Sequence, residues 1–237
     1  MNRILFFLTL FIHLSVFSNE LQLVSISDGV IYYQGDLSPE LNDKARQIYE
    51  ESIVKPEMLS INSRGGDVYL GLELAEWVFD NKLDIEVTQY CFSSCANYVF
   101  PAGRIKYLHN EALVGFHGGA TSDSFDTSDL YSMYGDLNDE ERKKKISELV
   151  KDMETYLHDF KVVESNFYNK INVNQAVTIL GEGEGYDSYR NDENYVGWYY
   201  IPEDFVKLGI KNVIVVSPPW KLKQYSKHSK VFLVKVD

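Results

Sequence analysis

Three places in this chain carry residue types that together could cleave an acyl bond. "CFSSCANYVF" (91–100) sets Ser93 and Ser94 between the only two cysteines, Cys91 and Cys95; "RGGD" holds the paired glycines Gly65 and Gly66; and "ALVGFH" ends on His117. A serine hydroxyl is a weak nucleophile until a base takes its proton, and the oxyanion made by its attack needs backbone donors aimed at it. A histidine can be that base, while a glycine loop and a helix N-terminus can both present unpaired N–H groups. Taken singly, each feature has an ordinary structural use: a serine before a helix is an N-cap, a glycine pair a turn, and a lone histidine a packing residue.

The segments around them read as alternating strands and helices. "LQLVSI" and "GVIYYQG" are strands joined by Ser27-Asp28-Gly29. "SPELNDKARQIYEES" starts with Ser38 as N-cap and Pro39 at the first helical position. "EMLSINS" is a strand that ends at the glycine pair, and from Asp67 a helix follows with Val68, Leu72, Ala75 and Phe79 on one face. "DIEVTQY" is the strand that delivers the chain to Cys91, and "CANYVFPAG" is a short helix stopped by Pro101 and Gly103. "RIKYL" and "ALVGFH" are two further strands. This order predicts an α/β fold, a parallel sheet with crossover helices, in which ligands collect at the carboxyl ends of strands. Gly65-Gly66, Ser94 and His117 all fall at such ends. Beyond them come a polar loop over 119–136, a long helix starting at "NDEERKKK" whose Lys143–Lys145 run is a solvated face, and a second polar loop, "GEGEGYDSYRNDENYVG". "IPEDFVKLGIKNVIVV" closes the pattern with a helix ended by Gly209 and a last strand.

Residues 1–18 read as a secretory signal peptide: Arg3 precedes an apolar run from Ile4 that gives way to polar Asn19 and Glu20, with Val16 and Ser18 before the cut. Residues 19–237 then form a single domain, exported to a periplasmic or extracellular compartment and not held in a membrane after cleavage. A retained anchor is the competing reading of that run. The formal net charge of −12, with no aromatic-interleaved basic patch, excludes nucleic acid as a partner. In an oxidising compartment the two thiols are expected to pair, which requires Cys91 to lie outside the helix that holds Cys95. A zinc site would need further ligands, and no close histidine pair completes a tetrahedral set. No metal or other cofactor is expected.

"INSRGGDVYLGLELAEWV", "CFSSCANYVFPAG" and "LVGFHGG" together resemble the pattern of the Clp peptidase and signal-peptide-peptidase superfamily, which shares the crotonase fold, and above all the exported Clp-peptidase-like proteins of bacteria. The resemblance covers roughly residues 28 to 118 and implies a ClpP/crotonase-like core with an added C-terminal helical segment. It implies Ser94 as nucleophile, His117 as general base, and the N–H groups of Gly66 and Cys95 as the oxyanion hole. Ser93, one residue out of the family register, is the fallback. Arg64 stands where those peptidases usually carry proline, and Gly197 aligns with their triad aspartate; Asp192 is the nearest upstream carboxylate and is taken as the third group. The implied function is a serine peptidase of the exported compartment acting on a peptide or protein, with self-association into a homo-oligomer left open. A catalytically inactive relative that holds a peptide or partner in the same cleft is the alternative. An acyl-CoA enzyme is a distant third, since export removes the chain from the CoA pool.

Overall fold

The structure, a computed structural model, describes residues 23–122, 134, 137–224 and 229–237. Asp28 and Gly29 both take positive φ (51° and 76°), as a two-residue hairpin turn requires, and they join β1 (Val24–Ser27) to its antiparallel partner β2 (Val30–Gln34). Helix α1 (Pro39–Glu51) follows, with Ser38 Oγ accepting from Leu41 N at 3.3 Å as the expected N-cap. Strand β3 (Met58–Asn62) then runs parallel to β2, and α2 (Val68–Asp80) is capped by Asp67 Oδ1, which accepts from Tyr69 N and Leu70 N.

"DIEVTQY" is two strands and not one. Strand β4 (Asp84–Val87) stays beside β3, whereas β5 (Tyr90–Phe92) leaves the sheet and pairs in parallel with β7 (Leu113–Phe116). Between β5 and β7 lie a π-helical turn (Cys95–Val99), which runs on as α3 (Phe100–Ala102), and β6 (Lys106–His109). The long helix is α4 (Asp139–Ile171), capped by Asn138. Short 3₁₀ turns and α5 (Asp187–Arg190) lead to β8 (Tyr195–Tyr199). A 3₁₀ segment (Pro202–Leu208), ended by Gly209 in the left-handed region, precedes β9 (Val213–Val216), and β10 (Lys230–Leu233) comes last.

The result is an α/β fold with two mixed, mostly parallel sheets: six strands ordered β1-β2-β3-β4-β6-β9, and four ordered β10-β8-β7-β5. The alternation in the sequence predicts one parallel sheet. The split places the strand before Ser93 and the strand before His117 side by side in the smaller sheet. The interior strands of the larger sheet bury Ile31, Leu59, Ile61, Ile85 and Val87 completely, in one core with Leu74 and Val78 of α2, Tyr98 of the π turn and Phe100 of α3. Each such side chain contributes about 1.5–3 kcal/mol. Among the described residues no helix is long and apolar enough to cross a membrane. The expected signal peptide lies outside the described residues, as does most of the 119–136 loop.

Candidate active site

Asn62 ends β3 as a clamp. Its amide donates to Thr88 Oγ1 (2.7 Å) and Gln34 Oε1 (3.2 Å), and its carbonyl oxygen accepts from Gln89 N (2.8 Å) and Tyr90 N (3.3 Å). Through those bonds β5 starts at the carboxyl end of β3. Ser63 continues the join, donating its N–H to Tyr90 O and accepting from Phe92 N. The glycine loop then closes on the turn. A Cβ on Gly65 (φ 95°) would lie 2.6 Å from Phe92 O, 2.7 Å from Ser93 Cβ and 2.9 Å from Ser94 N, so only glycine allows the approach. Gly65 O accepts from Leu37 N at 2.8 Å. Because C=O and N–H of a trans peptide point in opposite directions, this bond turns the Gly66 N–H away from Leu37. Arg64, the residue in place of proline, is bound to Asp36 by two hydrogen bonds (2.6 and 3.0 Å).

Ser93 occupies the sharp turn between β5 and the π turn. It has φ 58°, a left-handed conformation that costs an L-residue about 1–2 kcal/mol. The surroundings enforce it: Ser93 N donates to Gly115 O (3.0 Å), and Ser93 O accepts from Asn97 N (2.8 Å). The disulfide Cys91–Cys95, Cα–Cα 5.3 Å, brackets the turn covalently. It forms because Cys91 lies in β5 and Cys95 opens the helical turn, the condition set out above, and both thiols are thereby removed as zinc ligands.

The serine in contact with His117 is Ser93, whose Oγ lies 2.7 Å from His117 Nε2. Ser94 is turned the other way: it is 2% exposed and donates its hydroxyl to Gly66 O at 2.8 Å. Expecting Ser94 at the base therefore misplaces the register by one residue. The left-handed turn falls at Ser93, and Ser94 is the first residue with right-handed helical angles (φ −58°, ψ −25°). The backbone N–H that follows the serine in contact with His117 is therefore that of Ser94, at the head of the helical turn, and not that of Cys95. Gly66 keeps its place.

His117 follows β7 at the surface, and its ring stacks on Phe92 (centroids 5.6 Å apart, planes at 25°). Although the ring reaches solvent, the protein mass behind it disfavours the imidazolium and holds its pKa below the ordinary histidine value; a contact with its own backbone opposes this more weakly. A neutral imidazole with its proton on Nδ1 leaves Nε2 free to accept from Ser93. The backbone beyond it is pinned from below. Asn97 Nδ2 donates to Gly118 O (2.8 Å), Ser122 Oγ accepts from Gly119 N (3.0 Å), and the buried Glu164 carboxylate accepts from Ala120 N (3.3 Å) and Tyr98 OH (2.7 Å). Gln175 donates to the other oxygen of Glu164 at 2.6 Å. Glu164 is spaced with Phe160, Phe167 and Tyr168 on the buried face of α4, but nothing in its spacing announces a carboxylate among aromatic residues.

Asp192 is not brought to His117. Its carboxylate accepts from the backbone and side-chain nitrogens of Asn194 (3.0 and 2.7 Å), and these bonds hold its pKa down. Gly197, the aligned position, lies in β8 against the end of β7, where a Cβ would collide with Phe116 O and press on the Phe92 ring. No acidic side chain fits there. Among the described residues no carboxylate stands within ion-pair distance of His117, whose side-chain contacts are Ser93 and the Phe92 ring. Of the expected set, then, the fold assembles His117 and the glycine loop around the turn, exchanges Ser94 for Ser93, and leaves Asp192 outside. No protein-family model matches the chain and no curated protein matches it, so its chemistry rests on the geometry of its own residues.

Proposed function

We propose that the chain is a serine hydrolase of the exported compartment, with a ClpP/crotonase-like core, Ser93 as nucleophile and His117 as general base, acting on peptide bonds. The observation that carries this reading is the 2.7 Å contact between Ser93 Oγ and His117 Nε2, made by a serine in a left-handed strand-to-helix turn. In the first step Ser93 Oγ bonds to the substrate carbonyl carbon while its proton passes to Nε2. The Gly66 and Ser94 N–H groups receive the oxyanion. Collapse of the tetrahedral species breaks the C–N bond, Nε2 returns the proton to the leaving amine, and a water activated by the same imidazole then releases the acyl group from Ser93. With no carboxylate within ion-pair distance of His117 among the described residues, the pair works as a dyad in which Phe92 and the pinned backbone after His117 hold the ring.

Labelling with a fluorophosphonate probe tests the assignment. The wild type and Ser94→Ala should react, and Ser93→Ala and His117→Ala should not. A non-catalytic peptide-holding protein is the second reading, and the absence of room for an acid at Gly197 favours it. Failure of the wild type to label or hydrolyse, with peptides still bound, selects that reading.

A further inference from the structure

At the end of the larger sheet opposite Ser93, where β4 and β6 begin, lies a half-open cavity of about 490 Å³. Its lining carries four cations, Lys82, Arg104, Lys106 and Lys211, and one acid, Asp80, in a chain whose net charge is −12. Asp80 is taken by Lys170 (2.7 Å), and Arg104 is taken by Asp84 (2.8 and 3.1 Å). That leaves Lys82, Lys106 and Lys211 without a salt-bridge partner among the described residues. Lys106 is the unusual one. It is 6% exposed, and its ammonium donates to a single protein acceptor among the described residues, Lys211 O at 3.0 Å. An ammonium has three N–H donors, so two are left for whatever occupies the cavity. Burying a charge this way is costly unless a counter-charge or other acceptor completes its shell.

Burial pushes the Lys106 ammonium down to about 8, and the charge of Asp84 on β4 only partly offsets this. The same lining carries apolar surface from Phe79, Pro101, Ile171 and Val173. We propose that this cavity binds a small organic anion, a carboxylate or phosphate on a short apolar body, with the anionic group on Lys106 Nζ. Lys82 and Lys211 supply the field at the mouth, and the apolar surface takes the body. The site is independent of the hydrolase reading, because it lies at the other end of the strands.

Isothermal titration of the full chain with acetate, hexanoate and inorganic phosphate, each against chloride at matched ionic strength, tests it. Hexanoate or phosphate should bind saturably, and hexanoate about tenfold or more tighter than acetate, since the apolar surface desolvates its chain. Phosphate binding alone assigns the site to phosphate groups, and hexanoate binding alone to carboxylates. Lys106→Met should abolish binding. Lys82→Gln with Lys211→Gln, both exposed and safe for folding, should weaken it about tenfold. Ser93→Ala should leave it unchanged. No saturable binding of any probe to the wild type, or affinity unmoved in the Lys82/Lys211 double variant, would overturn the proposal.

Discussion

The two adjacent serines make opposite predictions about stability and reactivity. Ser94 is buried and its hydroxyl is the hydrogen-bond partner of Gly66 O, so Ser94→Ala leaves a carbonyl unsatisfied at a cost of about 1–3 kcal/mol. For a chain of this size that lowers Tm by roughly 2–4 °C per kcal/mol, or about 2–12 °C in all. Reactivity should survive, reduced by less than about 100-fold, because the variant loosens a peptide next to the oxyanion donor but keeps the nucleophile. Ser93→Gly should do the reverse. Glycine relieves the left-handed penalty of about 1–2 kcal/mol at φ 58° and costs about 0.5–1 kcal/mol in unfolded-chain entropy, a net gain of between zero and about 1.5 kcal/mol. Its Tm should hold or rise, by up to about 6 °C, while probe labelling disappears. Differential scanning calorimetry and fluorophosphonate labelling of the two purified variants read both axes. A Ser93→Gly protein that labels, or a Ser94→Ala protein that is fully stable and unreactive, would refute the assignment and return the nucleophile to Ser94.

Activity should depend on neutral His117, so kcat/KM rises with pH as the ring deprotonates, and its lower midpoint should lie below the ordinary histidine value of 6.5; a midpoint above it contradicts the burial argument. Because the folded pKa is depressed, protons bind the unfolded chain more tightly, and this residue's contribution to stability falls as pH drops through 6.5 toward the folded value, measurable by urea unfolding across that window. Asp192→Asn should leave kcat and KM unchanged, since its carboxylate serves Asn194, and a drop in kcat alone would bring it back to the site. Gly197→Ala should destabilise by about 3 kcal/mol, because its Cβ meets the Phe116 carbonyl, and a neutral outcome in a denaturant titration would show that β8 can shift. Reduction of Cys91–Cys95 should cost little global stability, as the loop closed is very short, but should slow labelling by freeing the turn around Ser93; equal rates before and after reduction would deny the bond that role.

Much of the scaffold is written in short-range signals. Ser38 before Pro39, Asp67 ahead of its apolar stripe and Asn138 before an acidic first turn each specify a helix start, because the cap bond spans only two or three residues. Asp28-Gly29 specifies a hairpin for the same local reason. Glycine at 65 and 66 announces a close backbone approach, and the strand-to-helix change between Cys91 and Cys95 announces a turn able to carry a nucleophile. What no local signal encodes is which serine takes the left-handed position: both are small, polar and at the same boundary. That choice is made by Gly115 O and Asn97 N, a distant strand and the next helical turn, which together pin Ser93 and push Ser94 against Gly66. Nor does "DIEVTQY" show that it splits, since the amide of Asn62, 27 residues upstream of Gln89, ends one strand and starts the other in a second sheet. The resemblance points to Asp192 as a third group only because it is the nearest carboxylate upstream of Gly197 in the sequence. Packing decided otherwise: β8 runs so close to β7 that the aligned position has no room for a side chain, and an aromatic ring fills the space beside the histidine.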